Sequence, residues 1–301
     1  MAKGSWLIVA ALVSQLAQPT FRSRTNLVAM NVTVTDAQGQ VVSGLKQEAF
    51  AVTEDETPQP IQQFVAESAP LSLVIAIDAS QSMEGSRIAF ARQAVLRFLE
   101  RLGPDDELDV FGFNNRPFNV TKGNKDPQVI ARALAGVRPS GGTALYQAVA
   151  AGIEALQRSK HRRRALVVIS DGNDEPSVPY DDDRASLARE AMATGRVNRS
   201  EALVYAIGVD PPNRRSLRPL NIAALSRLTD PTGGATRRVV EDAGITEQAE
   251  QIGDELRHQY VVGFTPAHAG DGKFHRVLVT VAGCDGCRVR TRSGFIADTA
   301  K

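Results

Sequence analysis

The stretch that most constrains the fold is a buried-strand pattern that ends in a cluster of oxygen-bearing side chains. Residues 73–77, LVIAI, are apolar without interruption. Such a run is typical of a strand that is buried on both faces in the middle of a parallel sheet. The chain then continues with Asp78, Ser80 and Ser82 at alternate positions. These three side chains can converge above the sheet edge, where a hard cation would find the oxygen ligands that it prefers.

Residues 78–82, DASQS, also fit a strand end followed by a helix N-cap, because Asp and Ser favour cap positions. Two later stretches favour the cation site. Residues 139–145 place a Gly-Gly turn and the hydroxyl of Thr143 just before a predicted helix. Residues 165–172 repeat the pattern of a buried strand that runs into a carboxylate, here Asp171.

Together the three stretches resemble the von Willebrand factor type A family over roughly residues 70–258. The metal-ion-dependent adhesion site of that family consists of a DxSxS motif, a separate Thr loop and a separate Asp loop. The matching residues, in the expected order, are Asp78, Ser80, Ser82, Thr143 and Asp171.

The resemblance implies a role for each of these residues. Ser80, Ser82 and Thr143 are expected to bind the metal directly. Asp78 binds directly or through water, and Asp171 acts through water. The implied ion is Mg²⁺ or Mn²⁺, because a small oxygen site that keeps several waters suits them. The implied function is a non-catalytic protein-binding module whose partner offers an acidic side chain to the metal.

Two other functions use the same residues. One is a Mg²⁺-dependent hydrolase of the aspartyl-phosphate kind, with Asp78 as the nucleophile. Such enzymes usually carry a second Asp two residues later, where this chain has Ser80, and the sequence contains no GxSxG, Walker or GxGxxG motif. The other is an interaction scaffold whose site is structural or unoccupied.

The charge balance argues against nucleic acid as the main partner, because 35 basic residues face 34 acidic ones. The basic run at residues 160–164 is interpreted as a solvated helix C-terminus, where the helix dipole favours cations; a nucleic-acid contact is the alternative. The acidic runs at residues 173–175 and 181–183 fit solvated turns and a helix start. Alternatively, they line the rim of the site and set partner preference.

The pattern of predicted strands and helices changes twice along the 301-residue chain. From Pro70 to His258, apolar strands alternate with amphipathic helices, which predicts an α/β domain with a doubly wound, mostly parallel sheet of about six strands. Residues 20–68 and 259–298 are strand-rich, with predicted strands that include residues 40–42 and 61–65. These two segments are expected to pair into a small β-sandwich-like module. With the strand YVVGFTP at residues 260–266, this arrangement resembles the bacterial exported proteins called VWFA-related.

The N-terminus has the order of a secretory signal over residues 1–17: Lys3, an apolar run and small residues. We therefore expect a periplasmic or secreted protein. The alternative is an N-terminal strand or an uncleaved tail. The apolar run is too short to span a bilayer, and no later segment resembles a membrane span.

The two cysteines, Cys284 and Cys287, lie between two strand-like runs, so a hairpin turn is the favoured interpretation. Export of the protein would allow them to form a local disulfide. A CxxC pair can also be a redox motif or half of a zinc site. However, no second cysteine pair is present and the four histidines show no metal-ligand spacing in the sequence.

Overall fold

The computed structural model describes residues 27–66, 69–176, 182–210, 219–268 and 270–297. The strands within these ranges are β1 (Val28–Thr35), β2 (Phe50–Glu54), β3 (Thr57–Gln59), β4 (Gln63–Val65), β5 (Leu71–Asp78), β6 (Glu107–Phe113), β7 (Pro117–Thr121), β8 (Arg163–Ser170), β9 (Leu203–Val209), β10 (Thr236–Val239), β11 (Tyr260–Phe264), β12 (Phe274–Val281), β13 (Arg288–Arg290) and β14 (Gly294–Ile296). The α-helices are α1 (Ser86–Arg101), α2 (Pro127–Ala135), α3 (Leu145–Gln157), α4 (Asp183–Arg199), α5 (Ile222–Thr229) and α6 (Gly244–Arg257).

The central sheet has six strands in the order β10-β9-β8-β5-β6-β7. Every neighbouring pair is parallel except β6 and β7. Helices α1, α2 and α6 cover one face, and α3, α4 and α5 cover the other. All eight residues of β5 are buried, as its apolar run predicts. The predicted doubly wound, mostly parallel sheet is therefore confirmed.

The carboxyl ends of the two middle strands meet at one edge of this sheet. Strands β5 and β8 are parallel neighbours, and Ile77 lies opposite Ile169. Asp78 and Asp171 follow these two residues closely, so both carboxylates reach the same edge. In open α/β sheets, ligands bind in the crevice outside these strand ends.

The N- and C-terminal segments form two four-stranded sheets with a common core. Their orders are β13-β1-β11-β4 and β14-β12-β2-β3, so each sheet combines strands from both ends of the chain. We call β1–β4 and β11–β14 the β module. Its core is built from apolar side chains of both sheets, among them Met30, Val32, Val52, Tyr260 and Val279. The predicted pairing of the two segments is confirmed.

Two local features of the β module differ from the sequence-based prediction. The strand predicted at residues 40–42 is reduced to a single bridge between Val41 and Thr35, because Gly44 soon turns the chain with φ +77°. A strand that was not predicted, β3, contains Pro58. Proline lacks an N–H, and β3 tolerates it because β3 lies at the edge of its sheet.

The β module and the α/β unit are joined at the amino-terminal ends of the central parallel strands. The Arg163 guanidinium donates hydrogen bonds to the carbonyls of Ala69 and Leu256, and thus holds both connecting segments. Arg163 is 6% exposed. The prediction of a fully solvated basic run is therefore wrong at this residue, whose side chain is needed to satisfy buried carbonyls.

Among the described residues, no helix combines the length and the apolar character that crossing a membrane requires. The predicted signal at residues 1–17 lies outside the described part of the chain.

Candidate metal centre

Asp78 lies beneath the surface at the end of β5. Its side chain is fully buried. One carboxylate oxygen accepts a hydrogen bond from the Ser80 amide at 2.8 Å, and the other accepts one from the Ser170 hydroxyl at 2.7 Å. Both oxygens are therefore fixed in direction by the first loop and by the neighbouring strand.

The two serine hydroxyls of the first loop lie side by side. A 3-10 turn at Gln81–Met83 follows β5, and it brings the hydroxyl oxygens of Ser80 and Ser82 to 3.0 Å from each other. The buried side chain of Met83 anchors this turn in the core. The alternating spacing in the sequence thus places two oxygens on one side of the loop.

The second loop is fastened to the first by backbone hydrogen bonds. The Ser140 amide donates to the Ala79 carbonyl at 2.8 Å, and the Gln81 amide donates to the Gly141 carbonyl at 3.1 Å. Gly141 adopts φ +71°, a conformation that favours glycine. The loop delivers Thr143, which is 6% exposed, to the same edge.

The third loop carries Asp171 and is paired with the second. The Thr143 amide donates to the Glu175 carbonyl at 2.9 Å, and the Glu175 amide donates to the Thr143 carbonyl at 2.7 Å. Asp171 is 5% exposed and accepts a hydrogen bond from the Asn173 amide at 3.1 Å. Gly172 follows with φ +79°, and a Cβ there would lie 2.6 Å from the Asn221 carbonyl oxygen.

The site is short of positive charge. Burial, together with the nearby Asp171 carboxylate, raises the pKa of Asp78 to about 7 against the opposing effect of its hydrogen bonds from Ser80 and Ser170. A cation placed between the two carboxylates would favour their charged forms. Arg87 lies close to the first loop, but its guanidinium donates to the backbone carbonyls of Ser82 and Asp210.

The predicted site residues come together around one open cleft of about 380 Å³. Ser80, Ser82, Thr143 and Asp171 line it, whereas Asp78 lies directly below. The side-chain donors that line the cleft are hydroxyl, carboxylate and amide oxygens, with no sulfur or imidazole among them. This donor set fits a small hard divalent cation.

The comparison with known families agrees with this geometry. Residues 73–173 match the family model of the von Willebrand factor type A domain. These residues belong to a von Willebrand factor type A domain. We call the α/β unit that contains them the A domain. The matched range includes all five predicted site residues.

The chain is also similar to a curated relative and to two solved structures. The chain is 24% identical over 210 residues to inter-alpha-trypsin inhibitor heavy chain H4 of Homo sapiens, a match covering 65% of this chain and 21% of that protein. A von Willebrand factor type A structure from Catenulispora acidiphila has a TM-score of 0.54 at 13% identity, covering 92% of this chain and 75% of that one. The open conformation of the pilus adhesin SpaC from Lactobacillus rhamnosus GG has a TM-score of 0.51 at 13% identity, covering 85% and 49%.

At 13% identity the two solved structures share the fold with this chain. The chain spans no more than about a quarter of the length of the curated relatives that it matches.

Three residues around the A-domain site were not predicted for the roles they have. Ser170 orients the Asp78 carboxylate, and Arg87 ties the first loop to the end of β9. Asp174 is not in a solvated turn: its buried carboxylate accepts from the Tyr146 amide at 3.1 Å and pairs with Arg189 at 2.7 Å. Only Ser170 gave a sequence signal, as a hydroxyl directly before Asp171 at a strand end.

Proposed function

We propose that the A domain binds a protein partner through a divalent cation, Mg²⁺ or Mn²⁺, held by Asp78, Ser80, Ser82, Thr143 and Asp171. The observation that carries the proposal is the convergence of three loops, which bring four of these side chains to one cleft above the buried Asp78 carboxylate. The cation would supply the positive charge that this pair of carboxylates lacks.

The chemistry of the donor set supports an acidic partner. Two of the five residues are carboxylates, and only Asp171 among them lines the cleft. A divalent ion bound mainly by neutral hydroxyls and water is incompletely neutralised. A carboxylate from a partner can then replace one water and complete both the coordination and the charge balance. The structural similarity to a pilus adhesin is consistent with this kind of binding.

A hydrolase that uses Asp78 is the less favoured alternative. A nucleophile must reach the substrate, but the Asp78 side chain is fully buried and both of its oxygens accept hydrogen bonds within the protein. Assays with a phosphate-ester substrate and Mg²⁺ distinguish the two functions. Turnover that disappears in the Asp78→Asn variant would favour the hydrolase.

The binding proposal predicts that partner capture needs the metal. A partner recovered in Mg²⁺ should be lost in EDTA and should return when Mg²⁺ is restored. Thr143→Ala should weaken binding by roughly 2–5 kcal/mol, the cost of losing a buried charge-assisted contact at an interface. Its free energy of unfolding should change much less, because the hydroxyl lies on a loop at the sheet edge.

Ser140→Ala is the matched control for this experiment, since it removes an exposed hydroxyl from the same loop. It should bind the partner like the wild type. If capture continues in EDTA and in the Thr143 variant, the partner uses another surface, such as the β module, and the proposal fails.

We also propose that the protein acts outside the cytoplasm. Cys284 and Cys287 are joined by a disulfide in the turn between β12 and β13, and disulfides persist mainly in oxidising compartments. The signal-like segment before Gln18 supports the same location. Mass spectrometry of the native protein should find a mature chain that starts near Gln18. Recovery of the intact N-terminus from the cytoplasmic fraction would contradict export.

A further inference from the structure

A second candidate metal site lies in the β module, away from the A-domain cleft. Its central residue is Glu54, the last residue of β2, and the Glu54 side chain is fully buried. One of its carboxylate oxygens, Oε2, accepts a hydrogen bond from the Ala267 amide at 2.8 Å. The other, Oε1, is buried and accepts no hydrogen bond among the described residues. A buried carboxylate oxygen without a partner is costly, and such a group calls for an explanation.

Two histidines face this oxygen. The Nδ1 atoms of His268 and His275 lie 3.5 Å and 3.9 Å from Glu54 Oε1. The two imidazole rings stack with their centroids 5.0 Å apart and their planes within 1° of parallel. One ligand atom from each of the three residues lies within 4.8 Å of the other two.

Two further carboxylates complete the surroundings of His275. Its Nδ1 lies 2.7 Å from Asp55 Oδ2, and its Nε2 lies 3.0 Å from Asp271 Oδ1. A metal-bound histidine commonly donates its second ring N–H to a carboxylate, which fixes its tautomer and orientation. Asp271 is in the position for this role, whereas the Asp55 carboxylate lies at hydrogen-bond distance from the nitrogen that would face the metal.

We propose that Glu54, His268 and His275 bind a divalent transition-metal ion, preferably Zn²⁺, with water as the fourth ligand. Imidazole and carboxylate ligands suit zinc and its first-row neighbours. Ligand atoms at 2.0–2.1 Å from a tetrahedral zinc are roughly 3.4 Å apart. The observed separations of 3.5 Å and 3.9 Å are close to that value.

The competing interpretation is a cluster held together by hydrogen bonds and ion pairs, without a metal ion. A doubly protonated His275 would donate to both Asp55 and Asp271, and this accounts for both short contacts. It leaves Glu54 Oε1 without a hydrogen bond, however, and it leaves three carboxylates to be balanced by two imidazoles. A divalent ion would satisfy the buried oxygen and offset the excess negative charge.

This site is independent of the one proposed in the A domain and differs from it in chemistry. It would connect the loop after β11, which carries His268, to β12, which carries His275, and to the end of β2, which carries Glu54. The pairing of β2 with β12 brings the ligands together, because it places Glu54 opposite Val277. The expected consequence is that zinc stabilises the β module by binding only its folded form.

The test is a calorimetric titration of Zn²⁺ into the full chain that carries Asp78→Ala, with excess Mg²⁺ present. The Asp78→Ala substitution disables the proposed A-domain site, so the titration measures the β-module site alone. Failure of one proposal therefore leaves the other untouched. We expect one Zn²⁺ per chain. Adding His268→Ala should lower the zinc affinity by at least about 100-fold, and Asp271→Asn should lower it by roughly 10–100-fold.

The matched control is His258→Ala, which removes an exposed histidine at the end of α6. It should leave zinc binding unchanged. The His268 side chain is 56% exposed, so its loss should not prevent folding, and circular dichroism verifies this. Co²⁺ gives a second readout, because its visible bands should appear with the tetrahedral site and vanish in His268→Ala. Equal zinc affinity in the His268 and His258 variants, or no saturable binding, would overturn the proposal.

Discussion

Asp78→Ala should lower the affinity of the A domain for Mg²⁺ by more than about 100-fold, a larger loss than the 10–100-fold typical of removing a residue behind a metal ligand. The physical reason is the loss of charge. Without Asp78 the predicted ligand set keeps three neutral hydroxyls and one carboxylate, Asp171, and Glu175 is the other carboxylate that lines the cleft. The substitution also leaves the Ser170 hydroxyl without its acceptor. Calorimetric titration of wild type and variant with Mg²⁺ measures the effect.

The control for this experiment is Asp105→Ala, which removes an exposed carboxylate just before β6, at the other edge of the sheet. It should bind Mg²⁺ like the wild type. The Asp78 variant should retain its far-ultraviolet circular dichroism, because Asp78 is the last residue of β5 and its substitution leaves the apolar clusters on both faces of the sheet intact. Unchanged Mg²⁺ affinity in a folded Asp78→Ala protein would show that the cation is not held there.

Glu255→Ala should lower the free energy of unfolding by about 3–5 kcal/mol, the usual cost of breaking a buried ion pair. Glu255 lies on α6 and is 1% exposed. Its two carboxylate oxygens accept from the guanidinium groups of Arg237 in the A domain and Arg290 in the β module. Removing the carboxylate leaves both guanidinium groups without their shared acceptor at the junction. Urea unfolding of the two proteins measures the difference.

Glu250→Ala on the same helix is the matched control. Its carboxylate is 37% exposed and pairs with Arg97 and Arg101 at the surface, so its removal should cost about 1 kcal/mol or less. The double variant Glu255→Ala/Arg290→Ala should lose less than the sum of its single variants, because the second change removes one unpaired charge. Similar losses for Glu250→Ala and Glu255→Ala would contradict the structural role given to Glu255.

Much of the A-domain site could be predicted because its residues lie at strand ends, and strand ends can be located in a sequence. The apolar run before Asp78 and the one before Ser170 both identify buried strands. Neighbouring parallel strands bring their carboxyl ends together, so the two aspartates had to approach each other. That prediction needs no long-range contact beyond the order of the strands.

The side chains around the site were harder to predict because their partners are distant in sequence. Arg87 looks like any cation in the first turn of a helix, yet it reaches the carbonyl of Asp210. Arg163 looks like part of a solvated basic run, yet it is buried between two chain segments. Charged residues can be assigned to such roles only when the elements that enclose them are known.

The zinc candidate shows the same limit more strongly. His268 and His275 are seven residues apart, a spacing that indicates no metal site in the sequence. Glu54 is more than two hundred positions away, and the pairing of β2 with β12 brings it to them. Predicting this cluster would have required the register of that strand pair. Composition and periodicity do not provide it.

Arg163 holds both connecting segments at the amino-terminal ends of the central strands. This position fixes the end of the A domain at which the β module is attached. The chain enters the domain at Leu71 and leaves it at Arg257, both at the amino edge of the sheet. Strand β5 has eight residues, so the cleft at the opposite edge is roughly 25 Å away. The β module is therefore joined to the A domain at the end opposite the cleft. Attaching the protein to a surface or a larger chain through the β module would leave the cleft facing outward.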